Sequence, residues 1–183
     1  MTVHAPPTMS KEAFLAWIER REERYEYAEG RVIMMVRVTL NHALATTNLV
    51  FAFRSRLPVD RFNVVSEAFA VNLGASVRFP DVLIQPAQAN GDVLEAKAPL
   101  LIAEVLSPST LHIDFGEKRQ EYLSLPTLDT YLIVSPDEPR VWMWQRADGA
   151  FPSEPDIIEG LDKQIALPAL GIEFALGEIY RGI

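Results

Sequence analysis

The segment Leu100–Tyr122, with the sequence LLIAEVLSPSTLHIDFGEKRQEY, decides the fold because it joins an apolar strand to a polar helix. Its first seven residues form an apolar run that is typical of a buried strand and is interrupted by Glu104. After a turn at residues 107–110, Asp114-x-x-Glu117 is interpreted as a capping box that opens a helix. A second apolar strand is predicted near residues 130–135. One helix between two strands indicates a sheet with a helix packed against it.

The rest of the chain contains more predicted strands than helices. A helix over residues 11–22 is capped by Ser10, and another over 41–57 is apolar around most of its circumference. Tyr25–Tyr27 and Arg31–Val36 form a predicted hairpin. Further strands are predicted near residues 62–72, 77–85, 140–146, 150–158 and 163–167, the last two as a pair before a C-terminal turn. This pattern favours an α+β or mixed α/β domain around a twisted sheet.

Composition bounds the class of protein. The 183 residues correspond to about one domain, which we assign to residues 10–183 after a flexible arm over residues 1–9. No cysteine is present, which excludes disulfides and thiolate metal sites. The longest stretch without charge, Val38–Phe53, is too short and too polar to cross a bilayer, so we expect no membrane partner and a cytoplasmic location. The net charge of −8 argues against a protein that coats nucleic acid through bulk positive charge.

Two carboxylates interrupt the apolar pattern of predicted strands: Asp81 within Phe79–Ile84 and Glu104 within Leu100–Leu106. An ionised carboxylate in a buried strand is unfavourable unless it is paired or binds a metal. Mg²⁺ suits such a pair because it takes oxygen ligands and commonly binds one or two carboxylates together with water and phosphate. The alternative is that both side chains lie at strand ends and reach solvent.

Other polar side chains could join these carboxylates. Asp114, Lys118 and Tyr122 recur at intervals of four and share one helix face, from which Lys118 could fold back over the acids. The alternative for Asp114 and Lys118 is an ordinary surface pair. Glu26 could supply a third acid or lie on the solvent side of an edge strand, and His42 could join the site or be a structural histidine.

These segments together resemble the Uma-type restriction endonuclease family of the PD-(D/E)xK nuclease superfamily. The resemblance covers nearly the whole chain and is carried by Glu104-Val105-Leu106-Ser107-Pro108-Ser109-Thr110 with Asp114, Lys118 and Tyr122, by Tyr25-Glu26-Tyr27 with Gly30, by His42, by Pro80-Asp81-Val82 and by Tyr131-Leu132-Ile133-Val134. It implies a restriction-endonuclease-like core, in which a central mixed sheet carries the strands of Asp81 and Glu104 side by side. It also implies that both acids bind Mg²⁺ or Mn²⁺, with Glu26 as a further metal ligand.

One position departs from the superfamily pattern. The lysine that usually stands two residues after the acid is Leu106 here, and the resemblance implies that Lys118 replaces it. The resulting prediction is a metal-dependent DNA endonuclease, a phosphodiester hydrolase, with Asp81, Glu104 and Lys118 as its catalytic residues. The alternative is a weakly active or inactive nuclease-fold domain that serves as a nucleic-acid-binding or assembly module. A metal hydrolase of small phosphate esters is a third hypothesis.

The expected partners are DNA and a second copy of the chain. DNA contact is expected to be local and weak, at basic clusters formed by Arg54, Arg56 and Arg61 and by Lys118 and Arg119. A homodimer is expected from the apolar helix at 41–57 and from the strand that carries Trp142 and Trp144 on one face. For these tryptophans, core or interface packing is favoured over a stacking platform for bases.

Overall fold

A six-stranded mixed sheet forms the centre of the molecule. The structure, a computed structural model, describes residues 8–19, 21, 25–34, 38–66, 69–107 and 111–183. In chain order, the strands are β1 (Tyr25–Ala28), β2 (Arg31–Met34), β3 (Phe62–Ser66), β4 (Val71–Asn72), β5 (Ser76–Arg78), β6 (Val82–Pro86), β7 (Leu101–Val105), β8 (Thr130–Val134), β9 (Arg140–Gln145), β10 (Asp156–Glu159), β11 (Gln164–Leu167) and β12 (Ile172–Ala175). The central sheet has the order β10-β9-β8-β7-β6-β3, with β7 and β8 parallel and the other neighbours antiparallel. The expected α+β fold with a central mixed sheet is confirmed.

Helices flank this sheet. They are α1 (Lys11–Ile18), α2 (Leu40–Arg54) and a third helix made of three consecutive segments, α3 (Leu111–Ile113), a π-helix (Asp114–Lys118) and α4 (Arg119–Leu123). We call the third helix, residues 111–123, the site helix. The side chains of Ser10 and Thr39 cap α1 and α2 by accepting backbone N–H groups of the first turn. Among the described residues, no helix combines the length and the apolar character that crossing a membrane requires.

The register of the central sheet brings two acids together. Antiparallel pairing of β6 with β7 places Val82 opposite Ala103, and one further step along this register places Asp81 opposite Glu104. The chain then leaves β7 and returns through the site helix to β8, which lies parallel to β7. Such a parallel connection needs a crossover, and here the crossover is the element that carries Lys118.

Each face of the central sheet has its own apolar core. On one face, alternate strand residues such as Ala103 and Val105 pack with α2 and the C-terminal strands. On the other face, Leu83 and Ile102 pack with Tyr122 of the site helix. Glu104 alternates with Ala103 and Val105 and therefore points to the face that the site helix covers.

A second sheet, ordered β2-β1-β5-β4, packs with α1. The β1–β2 turn has positive φ at both Glu29 (46°) and Gly30 (88°), as tight hairpin turns require. The expected flexible arm over residues 1–9 lies mostly outside the described residues. Its last residue, Met9, donates its N–H to the Gly30 carbonyl at 3.1 Å and accepts the Tyr27 hydroxyl at 2.9 Å.

Several predicted helix details are wrong. The site helix begins at Leu111, so Asp114 lies inside the helix and does not cap it. Helix α2 spans Leu40–Arg54 and so ends before the predicted residue 57, while its apolar residues extend beyond the buried side to the exposed Leu40 (72%) and Phe51 (61%). Helix α1 ends at Ile18, and residues 20 and 22 of the predicted helix lie outside the described residues.

Two strand predictions are also wrong. The strand predicted near 77–85 is two strands, because Pro80 cannot donate a backbone hydrogen bond and the chain passes from β5 into a different sheet at β6. The two strands predicted as a final pair do not pair with each other. Instead, β10 adds to β9, while β11 pairs with the unpredicted strand β12. Residues 35–36, within the predicted second hairpin strand, and 67–68, between β3 and β4, lie outside the described residues.

Candidate active site

Asp81 stands immediately before β6 and is held by two other elements. Its Oδ2 accepts the backbone N–H of Val105 at 2.7 Å, which fixes the carboxylate against β7. His42, from the first turn of α2, places its Nε2 3.3 Å from the same oxygen. Both side chains are buried. The alternative that Asp81 sits at a strand end is therefore correct for its position, although the side chain does not reach freely into solvent.

Glu104 lies inside β7, as the fourth of its five residues, and is buried. Its Oε1 accepts the Tyr122 hydroxyl at 2.9 Å and lies 3.1 Å from Lys118 Nζ. Burial raises the pKa of Glu104 well above its usual range, Lys118 opposes this shift, and nearby carboxylates including Asp81 add to it. The strand-end alternative is wrong for Glu104, which is an acid of the sheet interior.

Lys118 is the centre of the cluster. Its Nζ lies 3.1 Å from Glu104 Oε1, 3.2 Å from Asp114 Oδ1 and 3.5 Å from Glu26 Oε1. Burial alone would lower the pKa of Lys118, but the surrounding carboxylates, Glu104 first, raise it above its usual range. The lysine therefore stays an ammonium and neutralises part of the buried negative charge.

The π-helix places Asp114 and Lys118 on the inner side of the site helix. Their side chains are 1% and 5% exposed, so the surface-pair alternative is wrong. The hydroxyl of Tyr131 in β8 donates to the Asp114 backbone carbonyl at 3.1 Å and ties this segment to the sheet. A π-helical turn is wider than an α-helical one and frequently occurs at functional sites.

Glu26 enters the cluster from β1 of the second sheet. It is buried, so the alternative that it faces solvent from an edge strand is wrong. Its Oε1 accepts the Phe79 backbone N–H at 3.3 Å, and its Oε2 accepts Arg78 Nη1 at 3.3 Å. Arg78 belongs to β5 of the same sheet, whereas Lys118 belongs to the site helix, so Glu26 joins the second sheet to the site helix.

Sequence reasoning missed Arg78 and Glu121. Arg78 ends β5 with no exposed surface, and its Nε donates to Glu121 Oε2 at 2.8 Å. The alternation of Ser76 and Arg78 in a short strand signals that the two share a face. Their common acid partner lies 43 or more residues away in sequence, and no local pattern identifies it.

Tyr122 acts as a fixed hydrogen-bond donor in the cluster. Burial first, and then the charge of Glu104, raise the pKa of Tyr122 well above its usual range. The phenol therefore stays protonated and donates to Glu104. The predicted shared face of Asp114, Lys118 and Tyr122 is confirmed by their common contacts with this cluster.

Other sequence candidates lie elsewhere or serve packing. Trp144 stacks on Tyr131 at 5.8 Å, and Trp142 meets Phe115 edge-on at 5.0 Å, which confirms the packing interpretation. Leu106 is buried in the apolar core on the site-helix face. Pro108, Ser109 and Thr110 of the quoted motif lie outside the described residues.

Each of the two expected basic clusters contains a positive side chain that is paired with carboxylates. Lys118 is buried among acids, so the prediction that it forms a basic patch with Arg119 is wrong. Arg56 is engaged by Glu178 at 2.7 Å, which offsets one positive charge of the other cluster. Arg54 and Arg61 are exposed.

The chemistry of the donors suits a hard divalent cation. Asp81 and Glu104 offer carboxylate oxygens from neighbouring segments of the chain, since the register of β6 with β7 places Asp81 across from Glu104. Within the described part of the chain, no three His, Asp or Glu side chains are placed to share one metal ion. The residues therefore fit a two-carboxylate site, which Mg²⁺ commonly completes with water and substrate phosphate. The prediction that Glu26 is a third ligand remains a prediction.

Comparison with known proteins identifies the family of this chain. The family model Uma2, described as "Putative restriction endonuclease", matches residues 11–177. The chain belongs to this family. The family resemblance stated from the sequence motifs is thus confirmed, and Uma2 membership supports a nuclease-like function.

One relative of this Uma2 protein covers its whole length, and another covers about three quarters of it. "Uncharacterized protein slr1290" of Synechocystis sp. (strain ATCC 27184 / PCC 6803 / Kazusa) is 27% identical over 195 aligned positions, which cover 100% of this chain and 99% of the relative. "Uncharacterized protein sll1609" of the same organism is 28% identical over 144 positions, or 73% of this chain and 78% of the relative. The crystal structure of a putative nuclease belonging to DUF820 from Anabaena variabilis ATCC 29413 superposes with a TM-score of 0.76 at 17% identity, covering 94% of this chain and 98% of that one. At this identity the match shows a shared fold.

Proposed function

We propose that this Uma2-family protein is a divalent-metal-dependent endonuclease that hydrolyses phosphodiester bonds of DNA in the cytoplasm. The observation that carries the proposal is that Asp81, directly before β6, lies one register step beyond the Val82–Ala103 pair and so across from Glu104 of β7, with the Lys118 ammonium 3.1 Å from Glu104. Family membership supports the reaction class. The nuclease described for the Anabaena structure adds the same suggestion through a shared fold.

In this proposal Asp81 and Glu104 hold Mg²⁺ or Mn²⁺, and Glu26 is an additional ligand. Val105 and His42 approach Oδ2 of Asp81, so we assign Oδ1 to the metal. Tyr122 and Lys118 both approach Oε1 of Glu104, so we assign Oε2. A divalent cation bound there would supply Lewis-acid activation of water and neutralise charge on the phosphate.

Lys118 acts as a hydrogen-bond donor in the proposed reaction. Because its pKa lies above the usual range, it does not accept a proton from water near neutral pH. An ammonium is instead suited to stabilise negative charge that builds on a phosphate oxygen in the transition state. Asp114 holds the lysine in place, and Tyr122 and His42 orient the two metal-binding carboxylates.

The net negative charge of the protein opposes its contact with DNA. With a net charge of −8, long-range attraction to a polyanion is weak, and the cation at the site supplies much of the local attraction. We therefore propose a local, salt-sensitive contact with DNA. A homodimer is proposed alongside it, with the exposed apolar residues Leu40 and Phe51 of α2 as the contact surface.

The second candidate is an inactive nuclease-fold module. Leu106 fills the usual lysine position and is buried in the core, and Lys118 already satisfies three carboxylates from within. Such a cluster, held from within by Lys118, would maintain the fold without a metal. A domain of this kind would bind nucleic acid or a partner without cleaving it.

Cleavage of supercoiled plasmid with Mg²⁺ or Mn²⁺ separates the two candidates. Asp81→Asn and Glu104→Gln should each lower the rate by about 100-fold or more, because losing a metal ligand removes several kcal/mol of transition-state stabilisation. Glu154→Gln is the matched control, since this acid is exposed and far along the chain from the site. Undiminished cleavage by Asp81→Asn would contradict the proposal, and absence of cleavage by the wild type with retained DNA binding would favour the module.

A further inference from the structure

Arg78 is a buried cation that the proposed reaction does not use. It ends β5 with 0% exposure and grips Glu121 of α4 with two donors, Nε to Oε2 at 2.8 Å and Nη2 to Oε1 at 3.3 Å. Ser76, two residues earlier on the same strand face, donates to Glu121 Oε1 at 2.7 Å. The second sheet therefore holds one turn of the site helix through a forked, charge-assisted contact.

The same guanidinium reaches two further carboxylates. Its Nη1 donates to Glu26 Oε2 at 3.3 Å, and its Nη2 lies 3.5 Å from Glu117 Oε2. Glu26 belongs to β1, whereas Glu117 belongs to the π-helix. One planar group thus links the second sheet to both segments of the site helix that carry cluster residues.

The residues gripped by Arg78 are neighbours of those that contact Glu104. Glu117 precedes Lys118, and Glu121 precedes Tyr122. Holding the two glutamates fixes the rotation of the helix about its own axis. This rotation sets the direction of the side chains that follow them, Lys118 and Tyr122. Glu26, the third carboxylate held by Arg78, is itself 3.5 Å from Lys118 Nζ.

We propose that Arg78 is the positioning residue of the site: through Glu117, Glu121 and Glu26 it fixes the site helix against the second sheet and so holds Lys118 against Glu104. The catalytic part of this inference rests on the proposed function. The geometric part, the position of Lys118, does not. Lysine cannot replace Arg78 fully, because an ammonium lacks the planar fork that engages Glu121 with two bonds.

Two variants test the inference while limiting the risk of unfolding. Arg78→Lys keeps the buried charge but removes the fork. The double variant Arg78→Met with Glu121→Gln removes both charges of the strongest contact, so neither remains buried without its partner. Arg56→Met is the matched control, because Arg56 forms a short guanidinium–carboxylate pair with Glu178 that does not include any residue of the Glu104 cluster.

Chemical modification of lysine gives a readout that needs no activity. The chain has four lysines, Lys11, Lys97, Lys118 and Lys163, so reductive methylation followed by mass spectrometry can report each one. Wild-type Lys118 should be protected, whereas Lys97, whose side chain is 56% exposed, serves as the internal standard. In the folded double variant, Lys118 should react at least about tenfold faster, because local opening now exposes it. Arg78→Lys should be intermediate, and Arg56→Met should match the wild type.

Cleavage kinetics give the second readout. The double variant should lose kcat while KM for plasmid and the affinity for Mn²⁺ stay near wild-type values, because Asp81 and Glu104 keep their positions in the central sheet. Arg78→Lys should recover part of kcat. An arginine with a merely structural role would lower thermal stability without changing kcat of the folded fraction.

The possible outcomes separate this inference from the proposed function. Continued protection of Lys118 in the folded double variant overturns the inference, as does an unchanged kcat in a variant whose Lys118 is exposed. Loss of the fold in both variants also overturns it, since Arg78 would then be a general structural residue. Exposure of Lys118 in a protein whose wild type cleaves no DNA supports the positioning role and overturns the nuclease proposal.

Discussion

At the residue scale, the site is a balance between burial and charge. The carboxylates of Glu26, Glu104 and Asp114 are all buried around one ammonium, that of Lys118. Removing such groups from water is unfavourable, and their attraction to Lys118 compensates only while every partner is present. Substitutions in this cluster should therefore have opposite effects on stability, depending on whether they remove an excess acid or the shared cation.

Glu104→Gln should gain stability relative to the wild type as pH rises. Burial and neighbouring carboxylates raise the pKa of Glu104, so the folded protein holds this proton more tightly than the unfolded chain. Such a group stabilises the fold fully below its unfolded pKa, and that contribution is lost as pH rises toward the folded pKa. Glutamine cannot ionise, so the free energy of unfolding of the variant does not fall with pH for this reason. Urea unfolding between about pH 4 and pH 9 measures the difference. The free energy of unfolding of Glu154→Gln should change with pH as that of the wild type does. If Glu104→Gln becomes less stable relative to the wild type as the pH rises, the expectation is contradicted.

Lys118→Met should lower the free energy of unfolding by about 3–5 kcal/mol, because it leaves buried carboxylates without their cation. Arg119→Met removes the same charge from the next position of the helix, where the guanidinium lies 5.7 Å from the Trp144 ring centroid. This control should lose far less. Equal losses in the two variants, measured by urea unfolding, would show that the cluster does not depend on Lys118.

At the element scale, backbone geometry decides how the site helix and the first hairpin are held. The β1–β2 turn needs positive φ at Gly30, whereas Gly116 lies inside the π-helix without a positive φ. A Cβ added at Gly116 would meet no heavy atom within 4 Å. We therefore expect a side chain to be unfavourable at Gly30, because of its positive φ, and to be accepted at Gly116.

Gly116→Ala should raise stability by about 0.5–1 kcal/mol, because alanine reduces the freedom of the unfolded chain and fits the helix. Gly30→Ala should lower stability by about 1–2 kcal/mol, since its φ of 88° is unfavourable for a residue with a Cβ. Thermal unfolding of both variants under one buffer condition measures the contrast. A destabilising Gly116→Ala would show that the π-helix itself requires glycine.

At the scale of the whole molecule, hydrogen bonds hold the C-terminal residues against the central sheet. The Tyr180 hydroxyl donates to the Ser135 carbonyl at 2.7 Å and accepts the Arg140 backbone N–H at 3.2 Å. These two partners flank the turn between β8 and β9. Asn48 of α2 adds a bond from its side-chain amide to the Ile179 carbonyl at 2.8 Å.

Tyr180→Phe should cost about 1 kcal/mol near neutral pH through the lost hydrogen bonds. Burial raises the pKa of Tyr180 to about 12, so the folded state keeps the phenol protonated longer than the unfolded chain does. Its contribution is therefore full below the unfolded pKa of about 10 and is lost as pH rises to the folded value. Wild-type stability should fall more steeply than that of Tyr180→Phe in this window, as followed by chemical unfolding. Parallel curves would contradict the assignment.

The proposed homodimer is tested by molar mass in light scattering. If the exposed face of α2 is the contact, Phe51→Asp should convert a dimer into a monomer, because a carboxylate in an apolar interface is unfavourable. Leu94→Asp, another exposed apolar position outside α2, is the control and should stay dimeric. A monomeric wild type would remove this proposal.

Much of the site was accessible to sequence reasoning because it is encoded locally. Apolar runs interrupted by Asp81 and Glu104 identified the two acids, and a spacing of four residues identified the shared face of Asp114, Lys118 and Tyr122. Arg78 and Glu121 escaped because their partnership spans 43 residues and two different elements. The capping-box interpretation failed because the same Asp-x-x-Glu spacing occurs inside a helix that had already begun at Leu111.

The sequence by itself determined the family, the places of most strands and the candidate residues Asp81, Glu104 and Lys118, since periodicity and motif spacing are properties of neighbouring residues. The tertiary structure alone decided that Lys118 is buried among three acids, that His42 faces Asp81, and that Arg78 joins the second sheet to the site helix. These contacts depend on strand register and on the packing of a crossover helix. Both are set by the burial of the whole core, which no single stretch of sequence specifies.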